Sequence, residues 1–308
     1  MSEVSQKRFS GMVIENRSAR PNDASASYYT PPSGRIDWAA QPLPDAWTDG
    51  PEGRGLRGFW RLITHPFRRR GKVQLPPGLP GAERIPKYVL LEFHHLPNGN
   101  YSKRLTRGYV KGFEASMLGE MKKTRSRMAR DLVACQSVVD IGCGGARLAG
   151  QLATQGIDDV HGLDPSPYML QYGAEAHPSV TFAQGVMEAM PHEDNRFDGA
   201  AVLFVFHEMP PRYIHQGLAE VARVLRSGGC LVVAEPSPLH YQSGLVSAWR
   251  HFGWRGLYFR ILAHLVHEPF VKAWHRFDLV SAAEAHGLKL EQVDEGMPIK
   301  YWRFRLAE

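Results

Sequence analysis

Short apolar runs alternate with longer amphipathic segments between about residues 137 and 236. The runs are typical of strands buried on both faces, and the segments between them repeat apolar residues at helical spacing. Strands that alternate with helices form a parallel sheet covered on both sides, so the pattern predicts a doubly wound α/β fold. The strands predicted in this region are SVVDI, VHGLD, VTFAQ, FDGAAVLFVF and CLVVAEP.

Helical patterns flank this region on both sides. Apolar residues at helical spacing from Tyr101 to Met128 predict one or two amphipathic helices, and we assign residues 86–130 to lid helices. We assign residues 131–308 to the main domain, with a helical insertion at 239–275 that is rich in Trp and His. A further helix in RFDLVSAAEAHG and strands in LKLEQVDE and IKYWRFRLA complete the chain.

Residues 1–85 have a different character. They are rich in proline and glycine and lack periodicity, which predicts a flexible or loosely docked extension. Within it, residues 54–72 carry seven Lys or Arg and no acid, interleaved with Phe59, Trp60 and Phe67. This basic segment could contact anionic lipid or nucleic acid, or remain a solvated arm that packs a few aromatic side chains on the domain.

Composition narrows the class of protein. A chain of 308 residues with 43% hydrophobic residues can bury a core, and much of its net charge of +6 lies in the basic segment. The longest apolar run, Ala200 to Phe206, is too short to span a bilayer, and the opening MSEVSQKRFSG lacks a signal-peptide core, so we expect a cytoplasmic protein. The spacing of the three cysteines favours reduced thiols over a disulfide or a zinc site.

A glycine-rich turn after the first strand is the first feature that points to a ligand. Gly142 and Gly144 allow a sharp turn and close approach of a ligand to the backbone. Asp164 ends the second strand, 22 residues after Gly142, where a carboxylate receives a ribose hydroxyl pair. The two features together predict a nucleoside-containing ligand.

The residues around this turn favour one class of nucleoside. A dinucleotide fingerprint requires Gly or Ala at the sixth place from Gly142, where this chain has Arg147. Asp140, two places before Gly142, would repel a pyrophosphate but attract an ammonium and a sulfonium. S-adenosylmethionine is therefore favoured, with an NAD-dependent oxidoreductase as the alternative.

Residues 138–235 resemble the class I S-adenosylmethionine-dependent methyltransferases, in particular those that act on small molecules and those of ubiquinone and menaquinone biosynthesis. The resemblance depends on VVDIGCGGARLA, GLDPSPYML, FDGAAVLFVFHEMPP and RVLRSGGCLVVAEP, in this order. It implies a Rossmann-like, mainly parallel seven-stranded sheet with an antiparallel last strand and helical lid insertions. It also implies S-adenosyl-L-methionine as cofactor.

The resemblance assigns roles to individual residues. It implies that Asp140, Gly142 and Gly144 surround the methionine part, that Asp164 binds the ribose, and that Met169 lies against adenine. Val186 stands where the family usually has the aspartate that reads the adenine amino group, so adenine must be read by backbone groups near Met187, by Glu188, or less stringently. The predicted cofactor site comprises Asp140, Gly142, Cys143, Gly144, Asp164, Pro165, Met169, Met187, Glu188 and Phe204.

The acceptor side is predicted from the end of the fourth strand and from the lids. His207 and Glu208 follow that strand and are the predicted catalytic pair, although His207 could also only fix the acceptor or cap a turn. The lid aromatics could line an apolar acceptor site or form only lid core. The predicted substrate contacts are Tyr101, Tyr109, Phe113, His207 and Trp254.

These predictions define an enzyme that methylates a small, apolar or aromatic metabolite, with oxygen favoured as the acceptor atom. The absence of an N-P-P-Y-type tetrad after the fourth strand argues against DNA and release-factor substrates. The pair His264 and His267 with Glu268 is weak as a metal motif, so no metal is predicted. The alternatives are the oxidoreductase and a non-catalytic module that uses residues 54–72 to bind nucleic acid or membrane. The sequence carries no signal for an oligomeric state.

Overall fold

The computed structural model describes residues 36–53, 55, 56, 60, 64, 71–94, 96–266 and 268–308. Residues 1–35, most of the basic segment 54–72, and His267 lie outside this description. The predicted contact of residues 54–72 with a membrane therefore stays a prediction. None of the described helices is long and apolar enough to cross a bilayer.

A seven-stranded sheet forms the centre of the described structure. Its strands are β1 Ser137–Ile141, β2 Asp159–Asp164, β3 Thr181–Gln184, β4 Phe197–Leu203, β5 Leu225–Pro236, β6 Leu288–Asp294 and β7 Ile299–Leu306. Their order is β3-β2-β1-β4-β5-β7-β6, and β7 runs antiparallel to both neighbours, which confirms the predicted fold class. Because β1 lies between β2 and β4, the strand order reverses there and leaves a crevice at the carboxyl ends.

Helices cover the sheet on both faces and close its carboxyl end. They are α1 Lys103–Ser116, α2 Glu120–Asp131, α3 Arg147–Thr154, α4 Pro167–Ala176, α5 Pro211–Val224, α6 Leu239–Gln242, α7 Leu245–Leu265, α8 Val271–Trp274 and α9 Leu279–Glu284, with short 3-10 turns at Ala82–Arg84 and Phe206–Glu208. The predicted insertion at 239–275 contains α6, α7 and α8.

Strand β1 is largely apolar because both of its faces are buried. All five of its residues are buried, and successive side chains enter two different apolar clusters. Val139 packs with residues of α5 such as Leu218, whereas Val138 packs on the other face with Ala149 of α3. Alternation between two buried faces leaves no position for a solvated side chain.

Strand β4 is shorter than predicted. The apolar run continues to Phe206, but the strand ends at Leu203 and Phe204 adopts a left-handed φ of 60°. The carboxylate of Glu235, at the end of β5, accepts the backbone N–H groups of Val205 and Phe206, each at 2.7 Å. The prediction of a strand to Phe206 is wrong because this carboxylate binds the N–H groups that would otherwise pair with a neighbouring strand.

Some of the described residues before position 85 pack against the domain, and the predicted character of residues 1–85 as a whole stays a prediction. Trp38 is 2% exposed and belongs to the same apolar cluster as Leu152 of α3. The carboxylate of Asp49 accepts the backbone N–H groups of Lys103 and Arg104 at 3.0 and 2.9 Å, and so caps the start of α1. The partners lie too far apart in the chain for local periodicity to reveal them.

Candidate active site

One cavity lies at the carboxyl ends of β1 to β4. Its floor is formed by the glycine turn after β1, the residues that follow β2 and β3, and the segment 203–209 after β4. Its roof is formed by residues 88–94 and 100–101 and by side chains of α1 and α2. The cavity therefore occupies the crevice that the reversal of strand order creates.

The glycine turn gives the cavity a wall of bare backbone. Gly142 and Gly144 have φ values of 67° and 50°, in the left-handed region that favours glycine. A Cβ atom on Gly142 would lie 2.5 Å from Cγ2 of Val205, whereas one on Gly144 would meet no atom within 4 Å. Gly142 is thus required for packing, and Gly144 leaves open space in which a ligand can approach the backbone.

Asp164 connects the end of β2 to the glycine turn. Its Oδ2 accepts the N–H of Gly144 at 2.9 Å, and its Oδ1 accepts the N–H of Ser166 at 2.8 Å. Burial raises the pKa of Asp164 to about 6, although these two hydrogen bonds act to lower it. Each oxygen can still accept a further hydrogen bond, which suits a pair of hydroxyl groups.

A second buried carboxylate lies near the start of α3. Asp140 is 2% exposed, and its Oδ2 accepts the N–H of Ala149 at 3.0 Å. Burial raises the pKa of Asp140 to about 7 despite that hydrogen bond. The ion pair between Arg125 and Glu114, with a 3.0 Å contact from Nη2 to Oε2, also lines the cavity. This end of the cavity thus offers groups of both signs, as a ligand with an ammonium and a carboxylate requires.

A cluster of polar side chains lies at the other end of the cavity. Nε2 of His94 lies 2.8 Å from Oε1 of Glu208 and 3.2 Å from Oη of Tyr109. Burial acts to lower the pKa of His94, but the hydrogen bond and the charge of Glu208 raise it above its usual value. His94 has a φ of 52°, a backbone conformation that a non-glycine residue keeps only where its surroundings fix it.

His207 lies deeper, between two carboxylates. Its Nδ1 is 2.6 Å from Oε2 of Glu235, and its Nε2 is 3.5 Å from Oε1 of Glu268. Burial acts to lower the pKa of His207, but the charges of Glu268 and Glu235 raise it well above its usual value. Burial likewise acts to raise the pKa of Glu268, but the charge of His207 lowers it to about 2. His207 is therefore held as an imidazolium.

Comparison with known proteins matches this region of the chain. Residues 138–229 match the family model described as a methyltransferase domain. An uncharacterized methyltransferase of Mycobacterium tuberculosis is 37% identical over 98 residues, which are 32% of this chain and 39% of the relative. The demethylmenaquinone methyltransferase of Chlorobaculum tepidum is 32% identical over 99 residues, 32% of this chain and 40% of the relative.

Residues 138–229 are therefore similar to the methyltransferase domain of this family. The domain implies S-adenosyl-L-methionine as its cofactor. The chain spans about two fifths of the length of these curated relatives. Among solved structures, a TehB-like S-adenosylmethionine-dependent methyltransferase of Corynebacterium glutamicum aligns with a TM-score of 0.45 at 17% identity, over 65% of this chain and 97% of that one.

The residues of the methyltransferase domain fit this cofactor. Asp140 and Asp164 are buried without a cationic side chain in hydrogen-bond contact among the described residues, so a sulfonium and an ammonium would stabilise their charged forms. Oδ1 of Asn100 and Nε of Arg147 line the cavity, are buried, and have no hydrogen-bond partner in the described part of the chain. Buried polar atoms of this kind are available to a bound polar ligand.

The structure brings most of the predicted site residues to this cavity. Those that line it are Asp140, Gly142, Cys143, Gly144, Asp164, Pro165, Met169, Met187 and Phe204 from the predicted cofactor site, and Tyr101, Tyr109, Phe113, His207 and Glu208 from the predicted acceptor site.

Two predicted residues do not line the cavity. Glu188 is absent from the lining, and its Oε1 accepts a hydrogen bond at 2.7 Å from Oη of Tyr88, which does line the cavity. Trp254 is 58% exposed on α7, just after a kink at Gly253 that has φ 64° and ψ −159°. The kink changes the direction of the helix, which a periodic sequence pattern does not reveal.

Sequence reasoning missed several residues of the site. His94 and Phe93 come from a proline-flanked segment without periodicity, and Arg125 lies in a predicted helix without a local motif that marks it as a site residue. Glu235 could have been found, because an acid directly after the apolar run CLVVA must lie at the carboxyl edge of the sheet. Among the described residues, no group of three His, Cys, Asp or Glu side chains is arranged to hold a metal ion.

Proposed function

We propose that the protein transfers the methyl group of S-adenosylmethionine to a small, apolar or aromatic metabolite. The observation that supports this proposal is that one cavity joins both halves of the reaction. Asp140 and Asp164 lie at one side, and the rings of Tyr109, Phe113 and Phe204 lie at the other. Tyr109 and Phe113 stack with centroids 5.7 Å apart, and Phe113 meets Phe204 edge to face at 5.9 Å.

The aromatic wall favours an acceptor with a flat or apolar body. Aromatic side chains supply large apolar area and hold planar ligands in a fixed orientation. The demethylmenaquinone methyltransferases among the relatives support a small-molecule acceptor of this kind. The polar cluster of His94, Glu208 and Tyr109 adds a hydrogen-bonding end to the same wall.

The bound cofactor supplies a methyl group on a positively charged sulfur. The cavity residues must then hold an acceptor oxygen in line with that methyl group and exclude water, which is the largest contribution they can make. Transfer would form an O–CH3 bond as the S–CH3 bond broke, and a residue of the cavity would have to accept the proton that the acceptor hydroxyl loses. Glu208 receives that proton in this proposal, because its carboxylate lines the cavity with 28% of its side chain exposed.

His207 is assigned a positioning role in this proposal. Its ring nitrogens face Glu235 and Glu268, and its raised pKa keeps it protonated near neutral pH. A protonated imidazole cannot accept a proton from the acceptor. It can hold Glu268 next to His94, whose Nδ1 lies 3.7 Å from Oε1 of Glu268, and so fix the partner of Glu208.

Calorimetric titration with S-adenosylhomocysteine, NAD and NADP tests the cofactor. We expect binding of the nucleoside thioether and no heat from the dinucleotides. Transfer of labelled methyl groups to a panel of phenols, quinols and aromatic amines then tests the reaction. Tight binding of NAD without a response to S-adenosylhomocysteine would support the oxidoreductase, and thioether binding without transfer to any acceptor in the panel or in cell extracts would support a non-catalytic module.

A further inference from the structure

The kink of α7 places a group of aromatic side chains in solvent. Trp249, Phe252 and Trp254 are 55%, 39% and 58% exposed, and all lie within four residues of Gly253. We call residues 249–254 the corner of α7; every one of them is exposed. Exposed aromatic residues scattered singly need no explanation, but three large exposed rings within six consecutive residues mark a contact surface.

Tight packing and side-chain hydrogen bonds fix the chain next to the corner. A Cβ atom on Gly256 would lie 2.4 Å from Cβ of Phe252 and 2.6 Å from the carbonyl oxygen of Ala248, so the chain packs tightly just behind the kink. Nη2 of Arg255 donates to the carbonyl oxygen of Leu118 at 2.9 Å and to Oε1 of Glu120 at 2.6 Å. The rings at the corner thus project from a fixed support.

The charged side chains of α7 are all basic. Residues 245–265 contain three Arg and two His and no Asp or Glu. At the corner itself, Arg250 and His251 are exposed next to Trp249 and Phe252. Tryptophan and phenylalanine beside basic residues suit the interface of a bilayer, where the rings enter the headgroup region and the cations meet lipid phosphates.

We propose that the corner of α7 binds the surface of an anionic lipid bilayer. Exposed Val246 at 72% and Leu245 at 56% extend the apolar surface toward the start of the helix. A second copy of the chain is a weaker occupant, because a two-fold contact would bring Arg250 and His251 of both copies together on the same patch.

The position of the corner relates this surface to the cavity. Phe259, in the second half of α7, belongs to the same apolar cluster as Phe113 and Phe204, which line the cavity. A bilayer bound at the corner would therefore lie next to the roof of the cavity. The proposed membrane contact is argued from the exposure and charge of the corner, and it does not depend on the proposed reaction.

Sedimentation of the full chain with vesicles tests the proposal. We expect binding to vesicles of equimolar phosphatidylcholine and phosphatidylglycerol, weaker binding to pure phosphatidylcholine, and loss of binding at high salt. The triple variant Trp249→Ser, Phe252→Ser, Trp254→Ser should lose at least about tenfold in vesicle affinity. Arg250→Glu should lose about tenfold on the anionic vesicles and little on the neutral ones.

The matched control changes exposed apolar residues elsewhere. Val133→Ser with Val293→Ser, at positions 63% and 45% exposed, should bind vesicles as the unchanged protein does. Equal thermal midpoints and equal binding of S-adenosylhomocysteine show that each variant is folded. The proposal is overturned if the unchanged chain does not sediment with anionic vesicles, or if the triple variant sediments as well as the control. It is also overturned if light scattering shows that the triple variant only dissociates a dimer while vesicle binding stays the same.

Discussion

The pKa values of buried carboxylates shift in opposite directions at the two ends of the cavity. At the cofactor end, burial dominates, so the pKa values of Asp140 and Asp164 rise to about 7 and about 6. At the acceptor end, carboxylates and histidines lie in contact, so the pKa of Glu268 falls to about 2 and that of His207 rises well above its usual value. At the cofactor end, Asp140 and Asp164 have no cationic side chain in hydrogen-bond contact among the described residues, whereas the acceptor end pairs its charges directly.

This difference indicates what each end can bind. An uncompensated buried carboxylate is stabilised by a ligand that brings positive charge or hydroxyl donors, as the cofactor does. A cluster in which carboxylates are already paired with histidines gains little from binding a charged ligand, and it is better suited to a neutral one. The comparison therefore supports a cationic cofactor and a neutral acceptor in one cavity.

The largest effect is expected from the acceptor end. Glu208→Gln removes the proposed proton acceptor and should lower turnover by about 100-fold or more, with unchanged affinity for S-adenosylhomocysteine. Steady-state kinetics and calorimetry on the same preparation separate the two quantities. The control is Glu175→Gln, an exposed carboxylate paired with Arg107, which should keep full activity. Full turnover of Glu208→Gln would remove the proposed role of this residue.

The cofactor end should respond in the opposite way. Asp164→Ala removes the acceptor for ribose hydroxyls and the partner of the Gly144 N–H, and should weaken S-adenosylhomocysteine binding by about 100-fold, or roughly 3 kcal/mol. Calorimetry measures this change. Asp159→Ala, at the other end of β2 and paired with Arg196, is the matched control and should leave the affinity unchanged. Equal affinities for both variants would contradict the cofactor site.

Glu268→Gln tests the internal pairing. It leaves His207 with one carboxylate partner and should destabilise the fold by about 2 kcal/mol near neutral pH. The lowered pKa of Glu268 means that its contribution is present above its usual pKa of 4.5 and is lost as the pH falls toward about 2. Urea unfolding at several pH values should therefore show the two proteins converging on the acid side. A difference in stability that does not change with pH would show that the pairing is not electrostatic.

The smallest effect is expected from Asp140→Asn. Because the pKa of Asp140 is about 7, a proton competes with the cofactor, and affinity should fall as the pH drops below that value. The variant should bind about tenfold more weakly at pH ~8 and show a flatter pH profile. The raised pKa also means that the stability contributed by Asp140 is lost as the pH rises through about 7, so the variant should gain stability under alkaline conditions. If cofactor affinity changed with pH in the same way for both proteins, the role of Asp140 would be limited to capping α3.

Much of the fold could be predicted from local patterns. The strands of the sheet, the glycine turn and Asp164 form a contiguous strand, turn and helix series, and their spacing alone places them at one edge. The end of β4 could not be predicted in this way. The strand stops at Leu203 because a carboxylate of β5 binds the next N–H groups, and that contact joins residues about 30 positions apart.

Local sequence patterns predict the sheet, the glycine turn and the position of Asp164, because glycine freedom, strand burial and carboxylate spacing act over a few residues. The acceptor half of the cavity depends on tertiary packing. His94, Glu208 and Glu268 meet there across more than 100 positions of chain. Burial and pairing of charges arise only when such segments pack, so no local pattern can specify them.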